Sequence, residues 1–155
     1  MTNRAKILTL LASSLLLAAC TRGVVFSEFR DVSPAGWDED SAVTFSFRVT
    51  DTVSPCNVLL HVRHSDNYPY QNMWLFLTST NPQGVVTSDT IEFYLADDRG
   101  RWLGNGRNGH VSMPVLYEQN YHFPDTGAYS LSVRHGMRSD NLRGVSQIGM
   151  EILEP

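Results

Sequence analysis

The chain has 155 residues, of which twelve are Lys or Arg and sixteen are Asp or Glu, for a formal charge of −4. Its one lysine, Lys6, lies in an export leader, so the remainder has no lysine for a P-loop or a Schiff base. An acidic chain of this kind is also a poor nucleic-acid binder.

The first element is that leader. Arg4 and Lys6 precede an apolar run from Ile7 to Ala19, which is too short for a membrane span of about 20 residues. The run closes with Leu17-Ala18-Ala19-Cys20, small residues directly before a cysteine. This reads as a bacterial lipoprotein signal over residues 1–19, with the Cys20 thiol as lipid attachment point and new amino terminus. The alternative is a plain secretory signal in which Cys20 is incidental. Residues 20–23 form a lipidated tether, and three extended residues reach only about 10 Å, so a domain at 24–155 should sit close to the membrane. The 136 residues from Cys20 onward suit one domain with a full core. They carry ten Arg and all sixteen acids, a formal charge of −6, so anionic lipid offers no general attraction and the acyl chains must do the anchoring.

Beyond the tether, the hydrophobic pattern has a period of two and helical periodicity is nearly absent. Val43, Phe45, Phe47 and Val49 alternate with Thr44, Ser46 and Arg48. Cys56 shares parity with Val58, Leu60 and Val62, which makes it a small buried residue rather than a reactive thiol, although it has no partner once Cys20 is lipidated. Met73 to Leu77 is apolar on both parities. That segment is either a central strand covered on both faces, the favoured reading, or one exposing Trp74 and Phe76 as an aromatic patch. Ile91, Phe93 and Leu95 point inward with Thr90 and Glu92 outward. Tyr129, Leu131 and Val133 point inward with Ser130, Ser132 and Arg134 outward, and Ile148, Met150 and Ile152 close the series. Turn signals separate these runs at Ser33-Pro34-Ala35-Gly36, Thr52 to Pro55, Asn81-Pro82-Gln83-Gly84, Asp97-Asp98-Arg99-Gly100 and Pro124-Asp125-Thr126-Gly127. The expected fold is all-β, a single antiparallel β-sandwich of about eight or nine strands, immunoglobulin-like or jelly-roll-like.

Chemistry is sparse. His61 and His64 are three apart on one strand and point to opposite faces, while His110, His122 and His135 lie in separate elements, so no metal site is expected. No G-x-S-x-G elbow accompanies the serines and histidines, and Asp97-Asp98 reads as a solvated turn. Two weaker features remain. Val62-Arg63-His64-Ser65-Asp66-Asn67 is echoed by Val133-Arg134-His135 and Ser139-Asp140-Asn141, which reads as coincidence or as related strands presenting one polar site. The glycine-rich stretch Gly100 to Gly109 is either a partner-binding loop carrying Trp102 between Arg101 and Arg107, or a connection in which Trp102 folds back as a plug.

An ordered series of pieces carries a family likeness: Tyr68-Pro69-Tyr70-Gln71-Asn72, Trp74-Leu75-Phe76, Asp89 to Asp97, Gly100-Arg101-Trp102-Leu103-Gly104, Phe123-Pro124, Gly127, Tyr129, His135-Gly136-Met137-Arg138, Leu142, Gly144 and Gly149. With the lipoprotein signal, this resembles the GldH family of gliding-motility lipoproteins of the Bacteroidetes, from about Cys56 to the carboxyl end. The resemblance implies a membrane-anchored envelope protein associated with other gliding and type IX secretion components. It implies no catalytic residues, and none is assigned. Thr21-Arg22-Gly23 lacks the acidic residues that often follow the cysteine of surface-exported lipoproteins in this group, which favours an outer-membrane anchor with the domain facing the periplasm.

The expected function is therefore a non-enzymatic assembly or stabilising component without cofactor, metal, nucleic acid or small-molecule ligand. Candidate partner contacts are Trp102, Arg101, Arg107, Met137 and Arg138. The alternative is a glycan-binding module that stacks sugars on Tyr68, Tyr70, Trp74 and Trp102, which requires those rings to be exposed and coplanar.

Overall fold

The computed structural model describes residues 23–155; the leader, Cys20 and the tether through Arg22 lie outside the described residues. Eleven strands follow in order: β1 Val24–Asp31, β2 Trp37–Asp38, β3 Val43–Val49, β4 Cys56–Ser65, β5 Asn72–Thr80, β6 Val86–Tyr94, β7 Asn105–Arg107, β8 His110–Tyr121, β9 Gly127–His135, β10 Asn141–Leu142 and β11 Val145–Leu153. They pair antiparallel into a five-stranded sheet, β1-β11-β4-β8-β7, and a four-stranded sheet, β3-β9-β5-β6, with β2 and β10 forming a separate ribbon. The architecture is the expected all-β sandwich.

Alternation explains why the two sheets face one another. Cys56, Val58, Leu60, Val62 and His64 of β4 are all buried, as are Met73, Leu75 and Leu77 of β5 and Tyr129, Leu131, Val133 and His135 of β9. Each strand commits one parity to the core, where full burial of such an aliphatic side chain contributes roughly 1.5–3 kcal/mol. In β11 the parity changes, from Val145 to Ile148, Met150 and Ile152. A bulge opposite β4 between Val145 and Gln147 absorbs the change. β8 was not legible as a strand beforehand because Pro114 interrupts it. β7 pairs only Asn105 to Arg107 with β8, so Pro114 lies beyond its reach, where β8 is an edge and a missing N–H costs no ladder bond.

The register places both sheets on one axis with two distinct ends. At one end lie Gly23 and Val24, the tip of β11, and the loops 50–55, 81–85 and 122–126. We call this the tether end. A hydrogen bond from Glu154 N to the Gly23 carbonyl (2.7 Å) fixes the point at which the chain leaves the domain towards Cys20. Here Tyr129 closes its loop by donating its hydroxyl to the Asp125 carbonyl at 3.0 Å, and it stacks on Phe47.

The opposite end is capped by tryptophans. The β2–β10 ribbon pairs Trp37 with Leu142, and both are buried. Trp37 donates Nε1–H to the Ser41 carbonyl at 2.8 Å. Its own carbonyl lies 2.9 Å from His135 Nε2, and the two rings meet edge to face. Across the sandwich, His64 Nδ1 lies 3.0 Å from the Ser65 carbonyl, and Trp102 packs edge to face on the His64 ring at 4.5 Å. The sequence echo thus coincides with a structural one: each main sheet ends in a buried histidine covered by a tryptophan from a capping segment. Burial lowers the pKa of both imidazoles and so disfavours their charged forms. Gly144 belongs to this cap; its φ is +90°, and a Cβ there would lie 2.8 Å from Tyr68 Cα.

Candidate functional site

The residues chosen from sequence all lie at the capped end but do not form one cluster. Arg101 is a turn clamp. Asp97 accepts the backbone N–H groups of Arg99 and Arg101, each at 2.9 Å, and Arg101 Nε donates to Asp97 Oδ2 at 2.8 Å. These bonds, the Arg101 backbone N–H first, hold the Asp97 carboxyl below its ordinary pKa. The next residue, Trp102, bridges Ala96 and turns its ring onto His64 and Tyr68. Of the two readings left open for it, the plug is the one observed. Arg107 stands exposed on the short edge strand β7, on the other sheet.

Met137 and Arg138 follow β9 and sit beside the outer face of the four-stranded sheet. β9 stops pairing with β5 at His135, and Gly136 N still donates to the Trp74 carbonyl at 2.7 Å. The Trp74 N–H then has Met137 Sδ as its acceptor at 3.3 Å, so the thioether takes over where the ladder ends. A Cβ on Gly136 would lie 2.9 Å from Phe76 Cζ, which requires glycine there for the Phe76 ring to lie over the strand end.

This arrangement reveals a face that the favoured sequence reading had covered. Met73, Leu75 and Leu77 do enter the core, but Trp74 and Phe76 remain 38% and 43% exposed. Tyr94, opposite Asn72 on β6, is 63% exposed on the same face. The strand is therefore covered on one side only. The signal was available, because the outward parities of its neighbours, Thr90 and Glu92 on β6 and Ser132 and Arg134 on β9, were already polar. Register puts Arg134 opposite Phe76 and Glu92 opposite Trp74. Asn72 Nδ2 donates to Glu92 Oε1 at 2.7 Å, while Arg134 and Arg138 are exposed. An aromatic patch with Met137 at its border thus has Arg134 beside it, and aromatic residues and arginine are enriched in protein interfaces.

The sugar-stacking set does not assemble, and the glycan reading built on it is corrected here. Tyr68 is 4% exposed and donates its hydroxyl to the Asn72 carbonyl at 3.0 Å. Tyr70 packs edge-on against Tyr68, and Trp102 is the plug over His64. Only Trp74 of the four is on an outer face. A ring needed for core packing cannot also lie flat against a ligand.

The remaining reactive side chains have structural surroundings. Cys56 is buried, its Sγ–H donates to the Tyr121 carbonyl at 3.3 Å, and burial raises its pKa, which suppresses the thiolate. His61 Nε2 lies 2.8 Å from Glu151 Oε2 on the outer face of the five-stranded sheet. Among the described residues, no three His, Cys, Asp or Glu side chains converge as metal ligands. A cavity of about 200 Å³ opens between the sheets toward the tether end, lined by Phe47, Tyr117, Glu118, Tyr121, Phe123 and Tyr129. Burial first, then the charge of Asp89, pushes the Tyr117 pKa up to about 12.

The chain is 29% identical over 150 residues to a gliding motility lipoprotein GldH of Flavobacterium johnsoniae, covering 92% of each chain. It is 28% identical over 145 residues to a gliding motility lipoprotein GldH homolog of Christiangramia forsetii, covering 89% of this chain and 88% of that one. Among solved structures, a family GH115 4-O-methyl-α-glucuronidase aligns with 88% of this chain but only 18% of its own, at 13% identity and a TM-score of 0.45, too distant to bear on function. The family model described as GldH lipoprotein matches residues 24–152, and the chain belongs to that family.

Proposed function

We propose that this protein is a non-enzymatic lipoprotein of the gliding-motility and type IX secretion apparatus, held to the outer membrane by an acyl-modified Cys20 with its domain in the periplasm. Its task is to dock and stabilise another protein of that apparatus. The observation that carries the reading is the aromatic face of Trp74, Phe76 and Tyr94, bordered by Met137, with Arg134 opposite Phe76 and Arg138 exposed next after Met137 in the chain. Its complement is a protein surface with apolar side chains at the centre and carboxylates at the rim, since Glu92, the acid on this face, is already engaged by Asn72. Arg107 stands exposed at the same end on the other sheet, Arg101 is held by Asp97, and Trp102 packs on His64 and Tyr68. Family membership and the names of its relatives support the cellular setting.

The test is complementation of a gliding strain that lacks its own GldH. A variant with Trp74→Ala, Phe76→Ala and Arg138→Ala is expected to reach the membrane fraction and unfold at the parental temperature, yet to fail in gliding and in type IX export. In-cell crosslinking from a photoreactive residue at Tyr94 should capture one apparatus component in the parent and lose it in the triple variant. Full motility with the triple variant would overturn the docking assignment.

A further inference from the structure

The tether end of the sandwich has a property that neither the lipid anchor nor the docking face requires. Of the eleven large hydrophobic residues exposed among the described residues, Val24, Val25, Val53, Val85 and Val86 lie at this one end. They are presented by firm structure. Val53 is 82% exposed at the tip of the 50–55 loop, where Asp51 Oδ1 accepts the N–H groups of Val53 (2.7 Å) and Ser54 (3.2 Å). Hydrogen bonds, led by the Ser54 side chain, lower the pKa of the Asp51 carboxyl below its ordinary value. Val85 sits on a second closed turn, in which Asn81 Oδ1 accepts from Gln83 (3.1 Å) and Val85 (2.8 Å). Val25 is turned out by the register shift between Val24 and Phe26. Two closed loops and the ends of β1 and β6 thus expose aliphatic side chains together at this end.

The occupant of this surface follows from where the chain leaves it. Gly23 is pinned to the end of β11, and only Thr21 and Arg22 lie between it and Cys20, about 10 Å of chain at full extension. An acyl group at Cys20 therefore holds this end within side-chain reach of the bilayer. We infer that the tether end rests on the membrane, with Val53, Val85 and Val86 entering the boundary between headgroups and acyl chains. This rests on the proposed acylation of Cys20. The charges at this end, Asp51, Glu118, Asp125 and Glu154 against Arg48 and the tether's Arg22, are mainly acidic, so the contact is apolar and gains little from anionic lipid. Its consequence is orientation: a single flexible anchor lets a domain tumble, whereas added loop contacts stand the sandwich upright and lift the capped end away from the lipid.

The experiment uses the full acylated lipoprotein in phosphatidylcholine vesicles, with Val53→Trp and Val85→Trp variants and acyl chains brominated near the headgroup. Interfacial side chains reach about 5–10 Å into this region. Both added tryptophans are expected to lose emission in brominated vesicles, while native Trp37, Trp74 and Trp102, away from this end, keep theirs. Replacing part of the lipid by phosphatidylglycerol should leave the quenching unchanged. Protein that floats with the vesicles and carries acyl groups on Cys20, but leaves both new tryptophans unquenched, overturns the contact alone. Quenching seen only with phosphatidylglycerol overturns its apolar character. Unmodified Cys20 in protein that fails to float overturns the anchoring and this inference together.

Discussion

The two ends of the sandwich solve opposite problems with different residues. The capped end buries its large rings: Trp37 covers His135, Trp102 covers His64, and Tyr68 and Leu142 fill the space below. The tether end leaves small aliphatic residues outside, at Val53, Val85 and Val86, on turns closed by Asp51 and Asn81. Aromatic packing supplies stability at both ends, since Phe47, Phe123 and Tyr129 pack together at the tether end as well. Aliphatic exposure at the tether end gains nothing in water and has value only against a second apolar phase.

The sharpest way to break this contrast is at Trp37. Trp37→Ala should lower stability by about 3–5 kcal/mol, read by urea unfolding, because it empties a closed site and strands the His135 ring. Trp102→Ala should cost less, about 1–3 kcal/mol, since that ring is only partly buried. A Trp102→Ala protein of parental stability would return this residue to the exposed binding role.

Acidification should weaken the capped end selectively. His64 and His135 have pKa values lowered by burial from 6.5, so the unfolded chain takes up protons before the folded one. Stability is therefore complete above 6.5 and declines as pH falls below it, levelling off once the folded imidazoles are themselves protonated. Melting temperatures of a His64→Gln, His135→Gln variant should lose most of the dependence across that window. An unchanged profile would place the sensitive groups elsewhere.

The smallest expected change in stability is at the tether end. Val53→Ser with Val86→Ser should stay within about 0.5 kcal/mol of the parent in urea, because both side chains already face water. The same pair should reduce quenching of Val85→Trp by brominated lipid. A large loss of stability would show that these valines pack against the domain and would remove the contrast between the ends.

Much of the fold was readable one strand at a time. The inward sets of β3, β4, β5, β9 and β11 follow from parity, and the turn signals at Asn81 and Asp97 mark closed turns in the structure. The docking face was not readable with the same certainty. Trp74 and Phe76 alternate with Met73, Leu75 and Leu77, and a run apolar on both parities fits a strand covered on both sides as well as one with an aromatic outer face. Trp102 posed the same difficulty, since glycines around a tryptophan permit both an exposed loop and a fold-back onto the core. The strand β8 was hidden by Pro114, whose tolerance depends on an edge position that no local pattern states.

Sequence alone determined the all-β class, the parity of the core strands and the likeness to one family, because a two-residue period and an ordered set of motifs are local properties of the chain. Tertiary structure alone decided which aromatics are walls and which are surface, and that the exposed valines share an end with the exit toward Cys20. Those outcomes depend on which strands become neighbours and on which sheet face lacks a second layer. Pairing across the chain sets both, with Val24 opposite Leu153 and Cys56 opposite Tyr121.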